Sequence, residues 1–247
     1  MRARPTADRS PGVAAIEVHA VRKSYGGLRP LRVAHLSVAP AERVALGGFD
    51  AAAAEVFTNL LTGAALPDEG DIRLFGRSTR EIADGADWLR SLDAFGIVSL
   101  RAVLLTGATI QQNLALPFTV EIETVPAEVR ERVERLVDEV GLPREALSRT
   151  VGSAPSDTHA RVHLARAVAL DPQVLLLEHP TALVPPSGVA AFARDVARVA
   201  ADRRITLIAM TEDDRFATTA AQRVLRLEVG TGGLVPRRAW WRRCVGR

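Results

Sequence analysis

Apolar and polar positions alternate along Ile16-Glu-Val-His-Ala-Val21, the period of a half-buried strand. The turn-forming Ser24-Tyr-Gly-Gly27 follows, and Leu31 to Ala39 supplies a returning strand. Pro40-Ala-Glu42 turns into a short apolar strand over Val44–Gly47, and Leu66-Pro-Asp-Glu-Gly70 turns into another at Asp71–Phe75. Short turns between such strands predict an antiparallel sheet leaning on the strand–helix unit that begins at Val44. Phe95-Gly-Ile-Val-Ser99 reads as a buried strand. From Thr109 to Arg161 the period becomes helical, with Val129, Val133, Leu136, Val137 and Val140 on one face. Pro126 sits in the first turn of that helix, Gly141 and Pro143 close it, and Glu131 and Arg135 are spaced for an exposed pair. The remainder alternates: helix from Arg161 to Leu170, strand Val174–Leu177, helix through Val189, Phe192, Val196 and Val199, strand Ile205–Thr211. Continuous apolar strands separated by helices predict a parallel sheet covered on both faces. Arg223–Val229 and Leu234-Val235, around Thr231-Gly-Gly233, form a closing hairpin, and there are no internal repeats.

The stretch Arg43 to Gly63 organises the rest. A buried strand, a tight turn at Gly47-Gly48 and a helix carrying Val56, Phe57, Leu60 and Leu61 make the frame of a phosphate-binding loop. Such a loop needs glycines, a lysine and a hydroxyl, and this one offers Ala51, Ala53, Ala54 and Glu55. Lys23 is the only lysine in the chain, so no other segment supplies the missing one.

Composition narrows the classes. At 247 residues, 47% hydrophobic and 25% charged, the chain can bury a full core as one large domain or two unequal lobes. No run approaches the roughly 18 apolar residues of a membrane span. Met1 to Gly12 lacks the apolar core of a signal peptide. A single cysteine, Cys244, excludes an intramolecular disulfide and fits a reducing compartment. The net charge of +3 gives no expectation of a nucleic-acid partner, although Arg237, Arg238, Arg242, Arg243 and Arg247 crowd the C-terminal end beside Trp240-Trp241.

From about Ile16 to Pro236 the order of elements resembles an ABC-transporter ATPase. Glu42–Gly63 looks like its Walker A region. Asn113-Leu-Ala-Leu-Pro117 resembles the stretch after the Q-loop, Val151-Gly152 and Arg161–Pro172 the signature helix, and Val174–Ala182 the Walker B strand with its turn. The resemblance implies an α/β P-loop NTPase (RecA-like) core, an antiparallel β subdomain and an inserted helical subdomain. The expected division is a disordered leader at 1–13, an ATPase-like domain at 14–236 and a basic Trp-containing tail at 237–247. Within the domain, about 14–98 and 162–236 make the core and β subdomain, and about 99–161 the helical subdomain.

The functional positions depart from the family. Leu100 stands at the Q-loop glutamine, and Ala154-Pro155-Ser156-Asp157-Thr158 at the signature Leu-Ser-Gly-Gly-Gln. Glu178 stands at the Walker B aspartate that holds Mg²⁺ through water, and His179 at the glutamate that activates water. Pro185 and Glu212 replace the D-loop aspartate and the switch histidine. Only Tyr25, matching the aromatic that stacks on adenine, is kept, and Gly48 at the tight turn falls within the degenerate nucleotide-binding positions. Alanines at 51 and 53 restrict positive φ and favour helix, so Asp50 becomes a candidate N-cap of an early-starting helix. With Glu55 near the first turn, both carboxylates would hold the positive helix end that a phosphate should fill.

Other readings stand beside these. Ala51–Glu55 could be an ordinary helix start that never held a nucleotide. His159 and His163, four residues apart, are spaced for a metal but have no third ligand in view, so a solvated helix face is expected and no metal site. Glu178-His179 could be a substitute acid–base pair, and Tyr25 a packed strand-end aromatic. The tail is either a solvated end or a contact with an anionic membrane surface or an acidic groove on a partner.

The expectation is a degenerate, non-hydrolysing ABC ATPase-like subunit, cytoplasmic and peripheral to the inner face of the cell membrane. Its role would be structural or regulatory in a transport complex, with a transmembrane subunit or an active homologue as partner, as homo- or heterodimer. No catalytic residue is intact and no cofactor is expected. The alternatives are a working ATP-binding subunit using ATP and Mg²⁺ with altered motifs, and a soluble binding module that reuses the fold.

Overall fold

The structure is a computed structural model that describes residues 13–27 and 29–237. The leader up to Gly12 and the tail from Arg238, with Trp240, Trp241 and Cys244, lie outside the described residues.

Two sheets share one body. Strands β1 (Ile16–Lys23), β2 (Leu31–Val38), β4 (Glu69–Leu74) and β5 (Arg77–Ser78) form an antiparallel sheet in the order β2-β1-β4-β5. Strand β3 (Arg43–Gly47) leaves that meander for the second sheet. There it joins β6 (Phe95–Val98), β7 (Val174–Glu178), β8 (Thr206–Met210), β9 (Arg223–Glu228) and β10 (Gly233–Pro236) in the order β10-β9-β3-β8-β7-β6. Its strands are parallel except β10, which returns antiparallel beside β9. All five residues of β7 and of β8 are buried. Their alternation still matters: Leu175 and Leu177 face one core with Leu207 and Ala209, and Val174 and Leu176 face the other with Ile208 and Met210. The second core also takes Phe57, Leu60 and Leu61 of α1 (Ala51–Leu61) and the inner face of the antiparallel sheet.

Helix α2 (Gly85–Leu92) follows β5; α3 (Ile110–Ala115), α4 (Ala127–Glu139) and α5 (Ser156–Val168) lie between β6 and β7. Helix α6 (Val189–Asp202) and α7 (Asp214–Ala220) flank β8. In α4 the valines and leucine read from the sequence are buried, Pro126 caps the start, and Glu131 and Arg135 make their exposed i,i+4 pair. Ion pairs fasten this helical unit to α6. Arg161 donates to the Val140 carbonyl and to Asp195, both at 2.6 Å, and Arg203 forks onto both oxygens of Glu139.

Three helices depart from the sequence reading. Helix α5 begins at Ser156 rather than Arg161, because Pro155 at its cap fixes an extended backbone immediately before it. Helix α2 went unseen: it buries no residue and is held by the Asp84 cap on the Asp87 N–H, so no apolar stripe marks it. Helix α7 was hidden by its polar start, although Asp213 caps the Phe216 N–H and Phe216 packs 6.0 Å from Phe192.

Candidate functional site

The site lies where the parallel strands end. Beyond β3, Gly48 takes φ +86, and a Cβ there would sit 2.9 Å from the Leu227 carbonyl oxygen and 3.1 Å from its Cβ, so only glycine fits. Phe49 then turns inward, buried, with its ring 5.2 Å from Phe57. Asp50 is the N-cap of α1: its Oδ1 accepts from the Ala53 N–H at 2.8 Å, while its carbonyl accepts from Ala54 at 2.9 Å. The four alanines wind directly into helix, as their propensity favours. On the other flank Glu212, just past β8, accepts from the Gly48 N–H through Oε1 and from Arg226 at 3.1 Å through Oε2. The N–H groups of Gly48, Ala53 and Ala54 therefore all have partners within the chain.

Glu55 departs from expectation. It does not sit at the positive end of α1 but one turn further along, where Arg101 Nη1 holds its carboxylate at 2.6 Å. Arg101 Nη2 donates to both oxygens of Glu178, at 2.7 and 2.9 Å, and Nε reaches Ser99 Oγ at 3.2 Å. Glu178 ends β7 and is 7% exposed, so this guanidinium is the cation that compensates a buried carboxylate. One arginine thus ties α1, the end of β7 and the segment after β6 together. The residue beside it, Leu100, points outward and is 57% exposed. Sequence reasoning singled out Leu100 and passed over Arg101. The available signal was charge: two acidic residues, Glu55 and Glu178, called for a cation, and one stood next to Leu100.

His179 follows with φ +45, its N–H donating to the Met210 carbonyl at 2.9 Å. Its Nε2 is buried and makes no hydrogen bond among the described residues. With Glu178 committed to Arg101, the two do not form an acid–base pair: no hydrogen bond joins them. Tyr25 lies two residues beyond β1, half-buried against the second core, and burial, then the charge of Asp50, pushes its phenol up.

The signature-like segment is separate. Ala154 is half-buried against the first core, Pro155 caps α5, Ser156 is exposed, and Asp157 accepts from the Thr158 N–H at 2.9 Å. No hydrogen bond or ion pair joins these residues to Asp50, Glu55 or Glu178 among the described residues. The expectation of a solvated His159–His163 face is corrected. His159 Nε2 lies 2.7 Å from the Val151 carbonyl, and His163 is buried, its imidazole pushed down to about 4 by burial and then by Arg166 and His159. Arg237, at the start of the tail, pairs with Asp214 at 2.7 Å. Both line a cavity of about 170 Å³ with Gly47, Glu212 and Arg226.

Comparison with known proteins places this geometry. Residues 31–182 match the family described as ABC transporter. The Fe(3+) ions import ATP-binding protein FbpC 2 of Rhodococcus jostii (strain RHA1) is 30% identical over 217 residues, 87% of this chain and 60% of that protein. The corresponding FbpC of Serratia marcescens is 26% identical over 88% of this chain and 61% of its own length. The chain thus spans about 60% of the length of these curated relatives. Among solved structures, cbiO1 from Clostridium perfringens, part of the ABC transporter complex cbiONQ, superposes with a TM-score of 0.77 at 18% identity, covering 94% of this chain and 92% of that one. A dimeric ATP-binding cassette in a post-hydrolysis state bound to ADP and Pi gives 0.71 at 19% identity, covering 89% and 96%. No helix among the described residues is long and apolar enough to cross a membrane. With the α/β cassette fold and a family match over more than half its length, this chain belongs to the ABC transporter family.

Proposed function

We propose that this chain is a non-hydrolysing ABC subunit that structures or regulates a membrane transport complex. The observation that carries the reading is Arg101 bound to Glu55 and Glu178 inside the phosphate-handling frame. Two carboxylates and one guanidinium leave a net negative charge there. At about 4–5 Å and an effective dielectric near 20, that charge repels each phosphate charge by ~3–4 kcal/mol. A millimolar-to-micromolar ligand binds with only about 4–8 kcal/mol in total. The amides that would cradle phosphate are committed to Asp50 and Glu212. Ala54 is fully buried where a lysine would be needed. These residues do not fit ATP with Mg²⁺, and no cofactor is assigned. The subunit would sit on the cytoplasmic face of the cell membrane against a transmembrane partner or an active homologue, with 14–98 and 162–236 as its nucleotide-domain body and 99–161 as its helical unit.

A second reading has its own support. The relatives are named as ATP-binding proteins of import systems, which favours a working subunit with altered motifs. In that reading Arg101 would turn from Glu55 to a phosphate and take the lysine's place. Calorimetric titration with Mg²⁺–ATP decides between them. Weak or absent binding is expected, and a dissociation constant below about 100 μM, roughly 5.5 kcal/mol, would overturn the first reading. Co-purification with a transmembrane protein from native membranes separates either reading from a soluble binding module.

A further inference from the structure

We propose that His19 and His35 form a binding site for a late first-row divalent cation such as Zn²⁺. The two residues stand directly opposite each other across the antiparallel pair β1–β2. Both are exposed, and their ring centres lie 5.3 Å apart with planes inclined at 47°. Coordination chemistry asks for that separation. A zinc–nitrogen bond is about 2.0–2.1 Å, and roughly a further 1.1 Å separates the nitrogen from its ring centre. Two imidazoles on one tetrahedral ion therefore hold their centres about 5.2 Å apart. The observed spacing needs no movement of the strands, only rotation of exposed rings.

Acidic side chains neighbour the pair, with Arg73 beside them. Asp71 of β4 is the register partner of His19 on the other side, so a carboxylate occupies the next position on the same sheet. It is engaged by Ser78 Oγ at 2.5 Å and Arg73 Nε at 3.0 Å, so it contributes charge and leaves water to complete the shell. Glu17, two residues along β1 from His19, is the register partner of Arg73, so Glu17 and Asp71 share one arginine between them. Among the described residues no group of three or more His, Cys, Asp or Glu is gathered for a metal. The site is therefore a two-histidine one, weaker than a closed structural zinc centre and selective for ions that accept imidazole. The other histidines are occupied differently: His159 lies on a backbone carbonyl, His163 is buried, and His179 belongs to the site at β7. A bound ion would staple β2 to β1 at the edge of the antiparallel sheet. The proposal is independent of whether the chain binds nucleotide.

The test uses the full chain without an affinity tag and with Cys244→Ser, which removes the only thiol. Zinc chloride is titrated by calorimetry into this protein and into the same protein carrying His19→Ala or His35→Ala. One equivalent is expected to bind, and each single variant should weaken it at least about tenfold. As both side chains are exposed, thermal midpoints without zinc should agree across the three proteins. A zinc-dependent rise in the midpoint should appear in the parent alone. No binding up to about 1 mM zinc, or affinity kept within about threefold in either variant, overturns the assignment.

Discussion

Removing Arg101 tests what holds the end of β7 to α1. Arg101→Ala leaves Glu178, 7% exposed, facing Glu55 with no cation between them. The charge centres of a contacting guanidinium and carboxylate lie about 4 Å apart, worth ~4 kcal/mol at an effective dielectric of 20. Breaking a fully buried pair costs about 3–5 kcal/mol. Arg101 itself is 46% exposed, so water reaches the vacated position and lowers the cost. The pair to Glu55, nearly half-exposed on both sides, contributes only about 0–1 kcal/mol. The expected loss is about 2 kcal/mol, or about 4–8 °C in thermal midpoint for a chain of this size. Glu178→Gln in the Arg101→Ala background should restore about 1–2 kcal/mol, because the amide carries no charge to strand. Urea unfolding of the four proteins in the cycle measures both quantities. A loss below about 0.5 kcal/mol, or no recovery with glutamine, would show that Glu178 tolerates burial without Arg101 and that the tie is incidental.

Three further outcomes follow from the same structure. His163, held at about 4 against an ordinary 6.5, stays neutral in the native state, whereas the unfolded chain takes up a proton near 6.5. Its contribution is complete above that pH and lost as pH falls towards 4, by about 2 kcal/mol after screening. Urea midpoints at about pH 7.5 and 4.5 should show a drop that shrinks in His163→Leu, and an unchanged drop would refute this. Gly48→Ala should cost about 2 kcal/mol, from its positive φ and the close approach of Leu227; an unaltered thermal midpoint would contradict it. Restoring the loop with Ala51→Gly, Ala53→Gly, Ala54→Lys and Glu55→Ser should not yield hydrolysis, because Arg101 still holds Glu178 and His179 offers no carboxylate for water. Single-turnover phosphate release near 1 s⁻¹, about the low end of enzyme rates, would overturn that view.

Much of this protein was legible without coordinates. The period-two runs at Ile16–Val21 and the continuous runs at Val174–Leu177 and Ile205–Thr211 determined half-buried and fully buried strands, because a strand's two faces are written into successive residues. The Asp50 cap was legible for a similar reason: capping is a contact between neighbours, and Asp50 and Ala53 are three apart. So were the identities of the loop residues, since Ala51, Ala53, Ala54 and Glu55 are read directly from the chain. The tertiary structure alone decided where the charges went. Arg101 meets Glu178 across 77 positions, and Glu212 meets Gly48 across 164. Those meetings depend on β6, β7, β8 and β3 lying in one sheet with their ends together. The same separation hid His163, whose spacing from His159 suggests a shared face while the packing around it decides that His163 is buried. Local periodicity records which side of an element is apolar; it carries no record of which distant side chain will arrive opposite.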